Sequence, residues 1–302
     1  MPTGNNTDRI IKRISADTIP DIEKLYAQVY QKKPPVNYYK NKLATSFAGI
    51  EFAGFIAYAK NGTPVASLCI IPCFISQNNL RISAAQLTDG MTDPDYRGSG
   101  LFSYLSSAIL DLAKQEGIDI VFGFPNQNAY PLLLHNGWNE MERLHRFEIP
   151  VKRSVKWLIN RVSRPAKVNY EERTGCSNSV LADGFAGIER SKGYLLYKLF
   201  AGTGIIKADT AKAWIKADHD LAIGDMIVDE NNFEEMIQHI QAVAVKTGAG
   251  KIHFQGSPGT SLYKLFSKRY EAIPSFPVVI KKLNPKAETD RIKFTFADID
   301  IF

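Results

Sequence analysis

The chain has 302 residues, 45% of them hydrophobic and 23% charged, and its 37 basic and 31 acidic side chains give a formal charge of +6. Such a composition excludes an intrinsically disordered or collagen-like chain, no stretch approaches the ~20 apolar residues of a membrane span, and the length leaves room for about two domains. Three cysteines cannot build a disulfide framework and the opening residues carry no apolar run, so the expectation is a soluble protein of a reducing compartment, the cytoplasm, without a secretory leader.

In chain order, residues 17–42 read as helical, because Ile19, Ile22, Leu25, Tyr26 and Val29 recur at helical spacing and Pro34-Pro35 breaks the pattern. Residues 55–60 and 65–75 flank Asn61-Gly62 and predict a hairpin closed by a tight primed turn. A third strand is expected over 80–92. A Pro- and Gly-punctuated turn at 93–100 then leads into a helix over 101–115, with Leu101, Leu105, Ala108 and Leu112 on one face and Gly117 as its stop. The apolar run 118–124 is a strand, 130–136 a short helix, and 146–151 a closing strand.

The second half repeats a similar rhythm. A helix is expected at 192–200, strands at 212–216 and 221–228, and a helix at 231–246. A strand at 251–255, a further helix and a strand at 276–283 follow. The reading is α/β throughout: a mixed, mostly antiparallel sheet flanked by helices, twice in tandem. Its boundaries are a first domain at 1–150, a basic linker at 151–190 and a second, smaller domain at 191–302. Within the linker, residues 152–167 hold six basic and no acidic side chains, with Val155, Leu158 and Val162 at helical spacing. Two readings of it stay open, a connector with a solvated basic face and an amphipathic helix touching anionic lipid as a peripheral membrane contact. The basic excess elsewhere is too small and too scattered to argue for nucleic acid.

The chemistry concentrates at Thr92-Asp-Pro-Asp-Tyr-Arg97-Gly98-Ser99-Gly100-Leu101. Glycines between a strand and a helix let backbone amides approach a phosphate. The helix N-terminus adds unpaired donors and partial positive charge, and Arg97 adds a cation that can fork two phosphate oxygens. A Walker loop is excluded, since no Gly-Lys-Ser/Thr occurs here and Ile252 follows the lysine of 247–251. A dinucleotide fingerprint would need glycine where Ser103 stands, and a hairpin precedes the turn.

Arg97-Gly98-x-Gly100 resembles motif A of the GCN5-related N-acetyltransferases (GNAT), with Asp95 where that family usually has Gln or Arg. Asn126-x-x-Ala129 followed by Gly137-Trp138 resembles the family's next block at the right distance. The resemblance covers roughly residues 8–150 and is nearest to long bacterial members with a second, degenerate GNAT-like half. It implies acetyl-coenzyme A as acyl donor, its pyrophosphate held by amides from Gly98, Ser99, Gly100 and Leu101. The strand ending at Thr92 would lie along the pantetheine arm, and Asn126 and Ala129 beside the thioester. The implied reaction is direct attack by an amine of a small-molecule or glycan acceptor, such as an amino sugar of a polysaccharide precursor.

The family's frequent tyrosine, four residues before the glycine, falls on Leu133, which cannot donate a proton. Tyr130 and His135 are the candidate substitutes, against the plainer readings of a packing tyrosine and an exposed or capping histidine. Asp89 is the candidate base, against a solvated residue or the partner of a nearby arginine. Two further readings stay open, a Fem-type aminoacyl transferase and an acyl-coenzyme A-binding module without catalysis. Cys69 and Cys73 share one face of a strand and read as small buried side chains; no metal site is expected.

Overall fold

The computed structural model describes residues 9–77, 80–151, 175–208 and 210–302, so the basic segment 152–167 lies outside the described residues. The chain divides into two compact units. The first comprises 1–75, 81–141 and 277–288, and the second 76–80, 142–276 and 289–302.

In the first unit, β1 (Ile10–Arg13), β2 (Gly54–Tyr58), β3 (Pro64–Gln77), β4 (Leu80–Thr92) and β5 (Ile120–Gly123) are neighbours in that order. Pairing is antiparallel for β1 with β2 and for β2 with β3, and β4 runs parallel to β5. The sixth strand of this order was not foreseen in that place. It is β12 (Ile273–Lys282), whose residues Val279 to Lys282 pair antiparallel with Gly123 to Ile120. A strand from the end of the chain therefore completes the first unit.

Side chains on successive strand positions face opposite ways, and each face has its own cover. Ala57, Leu68 and Ile70 pack under α3 (Leu101–Gln115) with Leu101, Leu105, Ile109 and Leu112. Ile56, Tyr58 and Cys69 pack on the opposite face against α1 (Ile19–Tyr30) and α2 (Tyr38–Lys42), with Ile22, Leu25 and Tyr39. The expected 17–42 helix is thus two helices parted near the proline pair. The hairpin turn also differs from expectation: only Gly62 takes a positive φ, the amide of Ala59 reaches the Thr63 carbonyl, and the register shifts between Ala57 and Tyr58. A bulge, rather than a two-residue primed turn, supplies the twist.

The second unit repeats the order. Antiparallel β8 (Thr203–Ala208), β9 (Ala211–Ala217) and β10 (Leu221–Ile227) are followed by β11 (Ile252–Gly256) parallel to β10. The last neighbour is β6 (Asn139–Ile149), antiparallel to β11. A 15-residue helix, α7 (Phe233–Thr247), joins its parallel pair, as the 15-residue α3 does in the first unit. Phe233, Met236, Ile237, Ile240 and Ala244 bury its apolar stripe on Ala213, Ile215, Ile223 and Phe254.

The second unit also absorbs residues 175–190, expected to be linker. They form α5 (Ser179–Ala182) and β7 (Gly187–Ile188) and end on the buried Arg190, bonded to Asp225 and Asp298. Two buried carboxylates demand a buried cation, and that requirement outweighs the linker-like composition. The remaining helices are α4 (Ala129–His135), α6 (Lys192–Lys198) and α8 (Ser261–Ser267). Among the described residues, no helix is long and apolar enough to cross a membrane.

Candidate active site

Parallel pairing of β4 with β5 ends at Leu87 opposite Gly123, while β4 runs on to Thr92. Asp93 then caps a single 3-10 turn, its carboxylate accepting from the Asp95 amide at 3.0 Å, and the Arg97 amide donates to the Pro94 carbonyl at 3.3 Å. From there the backbone changes character. Gly98 (φ 73°) and Gly100 (φ 77°) both occupy the left-handed region, and a Cβ on either would meet nothing within 4 Å. Glycine is needed for conformation, and its face of the turn stays open.

The Tyr104 amide makes the first helical bond, to the Gly100 carbonyl at 3.0 Å. Among the described residues, nothing in the protein accepts from the amides of Gly98, Ser99, Gly100, Leu101, Phe102 and Ser103. Four unpaired amides, those of Gly100 to Ser103, are ordinary for a helix start; the glycine turn adds two more, those of Gly98 and Ser99. The N-cap Gly100 offers no side chain to satisfy them. By contrast α6 and α8 are capped by Ser191 and Thr260, which accept from the amides of Tyr194 and Tyr263. Two guanidiniums border the turn. Arg97 is exposed, with Nε 3.4 Å from the Thr92 carbonyl, and Arg9, unforeseen from the sequence, reaches the Ser99 carbonyl at 3.4 Å. A row of open donors, a helix start and two cations suit a diphosphate.

Residues 10–141 match the family model described as an acetyltransferase (GNAT) domain. This match places residues 10–141 in the GNAT superfamily. An uncharacterised N-acetyltransferase of Methanocaldococcus jannaschii is 26% identical over 150 residues, which is 47% of this chain and 66%, just under two thirds, of that protein. Among solved structures, a putative acetyltransferase from Pyrococcus horikoshii shares the fold with a TM-score of 0.60 at 16% identity, over 97% of this chain and 95% of that one. Saccharomyces cerevisiae N-myristoyltransferase with bound myristoyl-CoA also shares the fold, with a TM-score of 0.58 at 10% identity, over 97% of this chain and 89% of that one.

Within the GNAT domain the second sequence block has a largely structural explanation. The Asn126 side chain accepts from the amides of Asn128 and Ala129, at 3.0 Å each, and so starts α4. Gly137, at φ 76°, ends it: the Trp138 amide donates to the Leu133 carbonyl at 3.0 Å and the Gly137 amide to Leu134 at 2.9 Å. This is a Schellman stop, completed by packing of Leu133 and Trp138 in the core under α3. Leucine at 133 therefore serves the fold, in the position where the family often has tyrosine.

Tyr130, one turn earlier, is half-buried against the same core, and its hydroxyl donates to the Glu140 carboxylate. His135 is exposed on the last turn of α4. Asp89 is largely enclosed and is paired with a lysine. Its carboxylate takes the ammonium of Lys42 at 2.9 Å and the hydroxyl of Thr88 at 3.2 Å. Lys42 carries no local sequence signal, because its partner lies 47 positions away.

Cys69 and Cys73 are buried as expected, and burial pushes the Cys69 thiol well above its ordinary range. Among the described residues, no group of His, Cys, Asp and Glu has the arrangement of a metal site.

Proposed function

We propose that the chain transfers an acetyl group from acetyl-coenzyme A to an amine of a small-molecule or glycan acceptor, an amino sugar being the first class to test. The single observation that carries this reading is the run of open amides from Gly98 to Ser103 beside Arg97 and Arg9. In this reading those donors hold the pyrophosphate of the acyl donor, and the free end of β4 up to Thr92 offers backbone groups to its pantetheine arm. Asn126 and Ala129, at the start of α4, flank the thioester.

The reaction is direct attack of the neutral amine nitrogen on the thioester carbonyl. The new C–N bond forms, the C–S bond breaks, and the thiolate leaves with its electron pair. The nitrogen becomes strongly acidic as it bonds to carbon, so a carboxylate suffices to take its proton, and Asp89 is proposed for that task, directly or through water. Tyr130 is proposed to supply a hydrogen bond or proton to the departing sulfur. His135, fully outside the packed part of α4, is the weaker candidate. Tyr130→Phe should therefore lower kcat with little change in coenzyme A affinity, whereas His135→Ala should leave both near wild type; equal losses in the two variants would reverse this assignment.

One donor per chain is proposed. The turn of the second unit that corresponds to 93–100 is acidic and closed on itself, with the Asp229 carboxylate accepting from the amides of Asn231 and Asn232 at 2.9 and 3.0 Å. Glu234 and Glu235 occupy the first turn of α7 and disfavour an anion there. This unit has the strand order of the first without its amide cradle, in keeping with a degenerate relative.

Calorimetry with coenzyme A, followed by thiol release from acetyl-coenzyme A across an amine panel, tests the whole reading. One site per chain and acceptor-dependent release are expected; two equivalent sites would defeat the single-donor assignment. Arg97→Ala should weaken coenzyme A binding by about 1.5–3 kcal/mol, the range of a hydrogen bond to a charged group, with unchanged thermal stability. Unaltered affinity would mean that the turn holds something else.

A further inference from the structure

Lys42 is among the least exposed side chains of the first unit, at 2%. Its ammonium donates to Asp89 Oδ1 at 2.9 Å and to Thr88 Oγ1 at 3.0 Å, over the ring of Tyr38. Removing an ammonium from water is costly and is offset only where partners and geometry are good. That cost is met at one particular backbone position. Asp89 has φ 51°, a left-handed conformation that few side chains adopt, in the interior of a strand. The residue is gripped from two elements: α2 holds its carboxylate through Lys42, and β3 holds its carbonyl through Ser67 Oγ at 3.0 Å. The kink falls just past the last β4–β5 pair, Leu87 with Gly123, and ahead of the amide turn.

We infer that Lys42 is a positioning residue for acyl transfer, holding Asp89 in its ionised form and in the orientation set by the left-handed kink of β4. The inference rests on the reading of Asp89 as proton acceptor. The titratable groups that feel the Asp89 charge include Tyr30 from α1, Tyr39 and Lys42 from α2, and Cys69 from β3. Burial pushes both tyrosines and the thiol up, so they stay neutral near neutral pH, and Lys42 supplies the opposing charge. An adjacent cation favours the carboxylate; its removal from a site this enclosed favours the neutral acid, which cannot accept a proton.

The test compares Lys42→Met, Lys42→Arg and Asp89→Asn with wild type in kcat/KM against pH. A weakly basic amine is used so that the acceptor does not titrate in the window. The acidic limb of Lys42→Met should move up by about one to three pH units, the range an opposite charge exerts. Lys42→Arg should restore it, Asp89→Asn should be slow and without that limb, and all three should bind coenzyme A within about threefold of wild type. If the methionine variant does not fold, Lys42→Gln keeps polar contact without charge and must show the same displacement. A profile that overlays wild type in the uncharged variant overturns the inference. Should wild type transfer acyl groups to no amine, the acyl-transfer reading fails instead. The carboxyl 13C titration of Asp89 in the unliganded protein then decides the role of Lys42 alone, a curve indifferent to its charge overturning it.

Discussion

Gly100→Val should cost the protein most of its coenzyme A affinity, about a hundredfold or more, while leaving a folded first unit. The residue has φ 77° and caps α3. A β-branched side chain is a steric outlier there, and holding it in place costs of order 1–3 kcal/mol. The chain relieves that strain by turning the peptide, which redirects the amides on either side. Each amide lost from a phosphate oxygen removes about 1.5–3 kcal/mol, so losing two reaches at least a hundredfold at 1.4 kcal/mol per tenfold. No clash obscures the result, since a Cβ at this position meets nothing within 4 Å. Gly62→Val is the matched control. It introduces comparable strain at φ 80° in the β2–β3 turn, equally without a clash, and should lower stability but not affinity. Calorimetric titration with coenzyme A, paired with thermal unfolding, separates the two effects. Equal affinity losses in both variants would show that Gly100 acts through global stability.

Arg190→Met should be the most destabilising of the substitutions considered, by about 3–5 kcal/mol, because it strands buried carboxylates. The guanidinium bonds Asp225 at 2.6 Å, Asp298 at 2.9 Å and Thr295 at 2.9 Å, and the two aspartate side chains have no solvent exposure. Burial works against the charge of Arg190, but Asp298 and Asp225 more than offset it and hold its pKa above the ordinary value.

The loss should depend on pH in a set direction. Burial already lifts the Asp225 carboxyl, with Arg190 pulling it back. Without Arg190 the folded state binds that proton more tightly than the unfolded chain. Stability of the variant then falls as pH rises through the carboxylate range, so its deficit is largest near neutral pH and smaller at about pH 5. Urea unfolding at both values checks the sign; a deficit that grows on acidification would show that the aspartates are not the cause.

Much of the candidate site was legible because its signals are local. Two glycines, an arginine and an apolar helix face within fifteen residues imply an open row of amides whatever surrounds them. Asn126 and Gly137 were equally visible, and in the structure they start and stop α4 while Leu133 packs with Trp138. The partner of Asp89 was not legible, because a lysine 47 positions away on another element has no periodic relation to it.

The sequence by itself determined the elements and the turn chemistry: α3 was expected over 101–115 and found there, and β4 over 80–92. Period, glycine punctuation and capping act within a few residues, so they can be read without neighbours. Tertiary structure alone decided that Val279 to Lys282 complete the first unit beside β5, that residues 175–190 join the second, and that Lys42 meets Asp89. Those outcomes depend on which distant strands share hydrogen bonds and which buried charges must find partners. Such choices are set by the energy of the whole packed unit, and no short window of residues contains them.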